Sequence, residues 1–207
     1  MESEQLRSRE AETFMSDSLI TKKAIAAGMK ELTKKKSFDK ITVSDIAEIC
    51  GLNRQTFYYH FQDKYDLVNW IYYNEIISIV VDGLTYENCM EKVFRMLTRM
   101  KTDDYFYMST LKASVKNEFE ECLFKIVSEL FSDIIEEIAS DANATLEDEE
   151  IRFIADFYAF GMTGMIISWA SGGMKKSPEY IAKQIRTLYL GTEKFVTSHS
   201  DEIHRQL

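Results

Sequence analysis

The chain has 207 residues, 45% of them apolar and 29% charged, with one proline, eight glycines and three cysteines. These proportions exclude collagen-like, low-complexity and disulfide-scaffold proteins, and so few chain-breaking residues leave most of the length to regular segments joined by short loops. Net charge is −9, but it is unevenly placed: residues 1–18 sum to −3, residues 19–64 to +4 and residues 65–207 to −10. A basic module followed by an acidic body is the asymmetry expected when one end meets a polyanion and the other does something else. Cys50, Cys89 and Cys122 are odd in number and have no metal-ligand spacing, so a reducing cytoplasm is expected, with no metal and no cofactor. Met1 to Ser18 is acidic, lacks the apolar core of a signal peptide, and is expected to be a disordered tail.

In chain order, Leu19, Ile20, Ile25, Ala26, Met29 and Leu32 form a stripe of helical period that ends in the run Lys34-Lys35-Lys36. Lysines there complement the negative end of a helix dipole, so part of the local charge has a structural reason. Thr42 with Asp45 three residues on predicts a capping box opening a short helix with Ile46, Ala47 and Ile49 on its apolar face. Gly51 sits where a left-handed residue ends such a helix, and Leu52-Asn53 completes a tight turn. The next segment, Asn53 to Phe61, puts Phe57 and Phe61 on one face and Arg54, Gln55, Thr56, Tyr58, Tyr59 and His60 on the others. Two helices joined by a short glycine turn have the helix-turn-helix pattern, in which the second helix presents its N-terminal residues to base edges.

Further apolar-periodic segments cover about 63–81, 86–100, 103–116, 118–140, 147–171 and 178–198, with Asp63 capping the first and Gly172-Gly173 stopping the segment before Ser177-Pro178. Asp141 to Thr145 is the one loop-like cluster of the C-terminal body. The expected fold is all-α: a three-helix helix-turn-helix domain over 19–66, then a helical bundle over 67–207, about nine helices in total.

Arg54 and Gln55 can make directional hydrogen bonds to guanine or adenine edges, and Thr56 can meet a phosphate or a thymine methyl. Tyr58, Tyr59, His60 and Lys64 carry donors on apolar or flexible stems suited to phosphate, and Thr42, at a helix N-terminus, suits another. The ungapped stretch from Ile41 to Leu67 resembles the DNA-binding domain of TetR-type transcriptional regulators over 27 positions. The resemblance implies DNA contact at Tyr58, Tyr59, His60 and Lys64, a double-stranded operator as partner and a homodimer. Asp63 to Tyr72 and Ser168 to Met174 look like the branch that regulates dihydroxyacetone kinase operons, some members of which are activators answering to a protein co-activator. A shape-sharing protein-interaction module that binds no DNA is the alternative.

Phe157 to Met174 is uncharged over 18 residues, yet its four glycines and flanking Arg152 and Asp156 argue for a buried helix and against a membrane span. Gly161, Gly164, Ser168 and Gly172 give it a narrow groove of small residues. In TetR-like proteins the last two helices pair with those of a second subunit, which implies that these four residues lie at a dimer contact; packing within one subunit is the other reading. Two recognition helices must also reach successive major grooves about 34 Å apart to read a palindrome. Trp70, Met100, Tyr107, Tyr158 and Met162 are candidates for lining a pocket for a small apolar effector, although such residues more often fill a core. No nucleophile, phosphate-loop or zinc-protease motif is present, so catalysis is not expected. The expectation is a repressor released by an apolar effector, or else an activator of the dihydroxyacetone kinase type.

Overall fold

A computed structural model describes residues 2–85, 87–113, 116–141, 146–188 and 190–191, with side chains described from Ser18 onward. Of the loop expected at 141–145, Asp141 is instead the last residue of α8, and 142–145, like residues 192–198 of the last expected segment, lie outside the described residues. The chain divides into two compact units, Met1–Ile71 and Tyr72–Leu207. Its helices are α1 (Glu2–Thr33), α2 (Val43–Ile49), α3 (Arg54–His60), α4 (Lys64–Tyr72), α5 (Ser78–Val81), α6 (Cys89–Thr102), α7 (Asp104–Thr110), α8 (Lys116–Asp141) and α9 (Asp148–Ser171), followed by α10 over 178–188. A short 3₁₀ turn occupies Phe38–Lys40, and a π-helical turn, Tyr73–Ile77, joins α4 to α5 in one rod. Counting that rod once, nine helices and no strand occur among the described residues, which is the all-α architecture expected.

α1 reaches back to Glu2, so residues 2–18, expected above as a disordered tail, are helical. The physical reason lies in composition: no glycine or proline interrupts residues 2–27, and Glu, Ala, Gln, Met and Arg are good helix formers. The helix closes at Thr33, whose hydroxyl donates to the Lys30 carbonyl at 2.7 Å. Its inner face carries Ile25, Ala26, Met29 and Leu32 into a core completed by Phe38, Ile41, Ile46, Phe57, Phe61, Leu67 and Ile71. Where α1 meets the end of α2 there is no room for a side chain at Gly28: a Cβ there would lie 2.5 Å from Cys50 Sγ and 2.9 Å from Ile49 Cγ2.

The short helices of this unit are set by local chemistry. The Thr42 hydroxyl accepts from the Asp45 amide at 3.2 Å while the Asp45 carboxylate accepts from the Thr42 amide at 2.7 Å, a reciprocal capping box. Gly51 turns the chain at φ 65°, and the Asn53 side chain then caps α3, accepting from the Thr56 amide at 2.7 Å. The Lys36 ammonium, 2.7 Å from Asp45, and secondarily the Thr42 hydroxyl and amide, hold the Asp45 carboxyl down at about 2. Because its ordinary value is 3.8, the stabilisation is complete above about pH 4 and is lost as pH falls to about 2. Asp45→Asn should therefore melt earlier than the parent chain at pH 6, and thermal melts should show that gap closing as the pH is lowered to about 2.

In the second unit, Lys92 is buried and donates its ammonium to the carbonyls of Ile79 at 3.1 Å and Asp82, tying α6 to the end of α5. α8 and α9 pack antiparallel along their lengths, with Phe124 against Phe160 at 4.5 Å, Phe131 stacked on Tyr158 at 4.8 Å, and Ser128 donating to Asp156 at 2.6 Å. α9 opens on a Glu147–Glu150 capping box and ends at Gly172-Gly173, the latter at φ 98°. Among the described residues α9 alone has the length and hydropathy of a membrane span, but half of its apolar window is buried within this unit, as in the core helix of a soluble protein.

Candidate nucleic-acid interface

α3 is amphipathic in an unusual sense: its inner side is aromatic and its outer side is aromatic and polar. Phe57 is fully buried and meets Phe61 at 5.8 Å, while Tyr58 and Tyr59 stand out, Tyr59 with 68% of its surface free. Arg54 and Gln55 are exposed, and Thr56 and His60 are half-buried. The Arg54 guanidinium lies 5.9 Å from the Tyr58 ring centre and donates to the Tyr58 hydroxyl at 3.5 Å, so the ring supports the cation from below. Thr56 is anchored through its amide and its hydroxyl, both donating to Asn53. Tyr59 meets His60 edge-on at 5.0 Å. Burial, reinforced by the Lys22 ammonium, holds the His60 imidazole below its ordinary value, so it stands neutral at pH 7.

The structure thus brings six of the eight expected contact residues onto one helix and its immediate end. The other two are engaged elsewhere. Thr42 spends its amide and hydroxyl on Asp45, both at 2.7 Å. Lys64 donates to the carbonyls of Phe38, Asp39 and Ile41 at 3.0, 3.2 and 3.0 Å. The lysine run that carries much of the local positive charge is itself partly paired, Lys34 with Glu31 at 2.5 Å and Lys36 with Asp45.

In the second unit, Gly161, Gly164 and Ser168 are exposed along α9, in line with Phe153, Phe157 and Phe160, which leave 75%, 69% and 69% of their surface free. An added Cβ at Gly161 or Gly164 would meet nothing, whereas at Gly172 it would lie 2.7 Å from the Ser168 carbonyl oxygen, so that glycine is needed where the helix ends. The exposed phenylalanines are the larger feature, and sequence reading missed them because α9 is apolar on most sides.

Of the five pocket candidates, Trp70 belongs to the first unit and packs edge-on against Phe61 at 5.9 Å. Met100 and Tyr107 are wholly buried core residues, and the Tyr107 hydroxyl has no hydrogen-bond partner among the described residues. Burial first, then Glu75, drives that phenol well above its ordinary value. A narrow apolar cavity of about 30 Å³ lies between α5, α6, α8, α9 and α10, lined by residues that include Val80, Met90, Met96, Ile126, Phe131 and Ile185. Met162 is the one candidate on its wall, and it also borders, with Tyr158, a shallow groove running from Phe157 to Leu188.

A buried-aromatic, polar-rimmed second helix after a glycine turn defines a helix-turn-helix DNA-binding protein. Residues 25–71 match the family described as bacterial regulatory proteins, tetR family, and residues 87–191 match a transcriptional regulator C-terminal region of the same kind. The chain belongs to the TetR family of transcriptional regulators and is a DNA-binding regulator, not an enzyme. It is 32% identical over 93 residues to the HTH-type dhaKLM operon transcriptional activator DhaS of Lactococcus lactis subsp. lactis, a match covering 45% of this chain and 50% of that protein, so it spans half the length of that curated relative. A solved structure of the dihydroxyacetone kinase operon activator DhaS superposes with TM-score 0.69 at 26% identity, covering 86% of this chain and 98% of the other. A transcriptional regulator from Pseudomonas aeruginosa PAO1 superposes with TM-score 0.62 at 12% identity, over 86% and 93% of the two chains, a likeness of fold alone.

Proposed function

We propose that this chain is a cytoplasmic regulator that binds a palindromic operator as a homodimer, with α3 as the recognition helix and the second unit as the effector-responsive part. The observation that carries the reading is the outer face of α3, where Arg54, Gln55, Tyr58 and Tyr59 are exposed above a buried Phe57. Arg54 and Gln55 read base edges, Thr56 contacts a phosphate or a thymine methyl, and Tyr58, Tyr59 and His60 hold phosphates. The two copies meet through the Phe153–Phe157–Phe160 stripe and the small residues Gly161, Gly164 and Ser168 beside it. An apolar small molecule that prises open the narrow cavity under α9 shifts the pair of recognition helices between spacings that fit and do not fit the operator, the mode of a repressor. A second reading, an activator answering to a protein co-activator, is favoured by the likeness to DhaS, which is described as an activator.

Selection of bound duplexes from a random library tests the whole reading. The expected product is a two-fold motif whose half-sites lie about 10 base pairs apart, or a multiple of that. A pool without sequence bias would overturn it. Once a motif is in hand, Arg54→Ala should cost about 1–3 kcal/mol and relax preference at one position of each half-site. Fluorescence anisotropy on the motif and its single-base variants measures this, and an equal loss on every variant would make Arg54 a phosphate contact instead.

A further inference from the structure

His60, the last residue of α3, has a lysine of another helix beside it. Lys22 of α1 holds its ammonium over the buried Phe61 ring, 5.5 Å from the ring centre, and close enough to the imidazole that its charge opposes protonation there. No hydrogen bond or ion pair takes up this ammonium among the described residues, whereas Lys34, Lys36 and Lys64 of the same unit are engaged by carboxylates or main-chain oxygens. The acids at the start of α4 do not compensate it. Asp63 accepts from the amides of Tyr65 and Asp66 at 2.7 and 2.9 Å, and Asp66 accepts from the Gln62 amide at 2.9 Å. From α3 itself the Tyr59 ring meets His60 edge-on at 5.0 Å. One charged group and one chargeable group thus stand side by side at the end of the recognition helix with no anion between them. Such a pair is unfavourable alone and becomes favourable when an anion docks on both. The negative end of the α3 dipole, at His60, adds to that preference for a protonated ring.

Resting on the DNA-binding reading above, we propose that Lys22 is a phosphate ligand contributed by α1: its ammonium and the His60 imidazole grip one backbone phosphate at the end of the recognition helix, and His60 takes up a proton from solvent as that phosphate docks. In the free chain, burial and Lys22 keep the imidazole neutral at pH 7. A phosphate supplies the opposite charge, offsets Lys22 and raises the affinity of the ring for a proton. Binding therefore consumes protons, and operator affinity rises as pH falls from 8 to 6. Phosphate contacts carry no sequence information, so pH changes the strength of binding without changing which duplex is preferred.

A duplex selected by the wild type is titrated with the wild-type chain, Lys22→Met and His60→Gln, between pH 6 and 8 and across a series of salt concentrations, with circular dichroism checking the fold of each. The wild type is expected to gain at least about tenfold in affinity from pH 8 to pH 6. His60→Gln keeps a hydrogen-bond donor but cannot titrate, so it should bind more weakly at pH 6 and lose most of that gain. Lys22→Met keeps an unbranched stem and removes the charge, so its slope of log K against log salt should fall by roughly 0.9 for each subunit. A merely structural Lys22 would leave the slope unchanged. That result, or a His60→Gln chain with the wild-type pH profile, overturns the proposal. If either variant does not fold, the His60 imidazole proton signals of the wild type decide: their titration midpoint should move up by at least about one pH unit when the duplex is added, and an unmoved midpoint overturns the proposal. A wild type that selects no duplex fails the DNA-binding reading, whereas a wild type that binds, with Lys22→Met at the wild-type slope, fails only the assignment of Lys22.

Discussion

Phe157→Asp is expected to give a folded chain that no longer pairs with a second copy and that binds its operator at least a hundredfold more weakly. Phe157 leaves 69% of its surface free in the single chain, so replacing it removes little from the folded subunit. Two-fold symmetry places the substitution on both sides of the contact. Burying a phenylalanine contributes about 1.5–3 kcal/mol, hence about 3–6 kcal/mol for the pair, before the cost of desolvating two carboxylates is added. That is two to four decades in the dimer dissociation constant. Sedimentation at micromolar concentration checks the assembly, and circular dichroism checks the fold. A Phe157→Asp chain that stays dimeric would move the interface away from α9.

The same stripe shows what a sequence does and does not disclose. The helix-turn-helix was legible because its signals are local: the Thr42–Asp45 box, the left-handed Gly51 at φ 65° and the Phe57–Phe61 pair need only their neighbours to be read. The exposed face of α9 was not, because Phe153, Phe157 and Phe160 belong to a helix whose buried side is also apolar, and periodicity cannot tell a free apolar face from a filled one. Attention therefore fell on the glycines beside it, of which Gly172 is required by the helix end. The main-chain bonding of Lys64 was hidden for a different reason. Its partners are main-chain oxygens more than twenty residues away, and main-chain oxygens leave no mark in the sequence. Met100 and Tyr107 escaped reading similarly, since they have the composition of a lining but the burial of a core.

Gly28 is the other residue whose importance only packing reveals, and Gly28→Val is expected to destabilise the first unit by about 2 kcal/mol or more. Two opposing effects set that value. In the interior of α1, glycine is intrinsically about 1 kcal/mol worse than alanine, so a side chain there gains helix propensity, although valine recovers only part of it. Against this, the first added carbon already lies 2.5 Å from Cys50 Sγ and 2.9 Å from Ile49 Cγ2, and overpacking of this kind costs typically about 1–3 kcal/mol. Valine's two further methyl groups enlarge the clash, and neither neighbour can yield freely. The Cys50 thiol is held by donation to the Ala24 carbonyl at 3.5 Å, and Ile49 is the last residue of α2. Relief must therefore come from α2 moving off α1, which tilts the helix that leads into α3 and lowers operator affinity along with stability. Thermal melts of Gly28→Val measure the first effect and duplex titration the second. Cys50→Ala removes the nearer obstacle, so the double variant should recover a substantial part of the loss, a positive coupling of the size seen between touching residues, about 0.5–3 kcal/mol. A strictly additive double variant would place the strain at Ile49 alone and show that the thiol yields without moving α2.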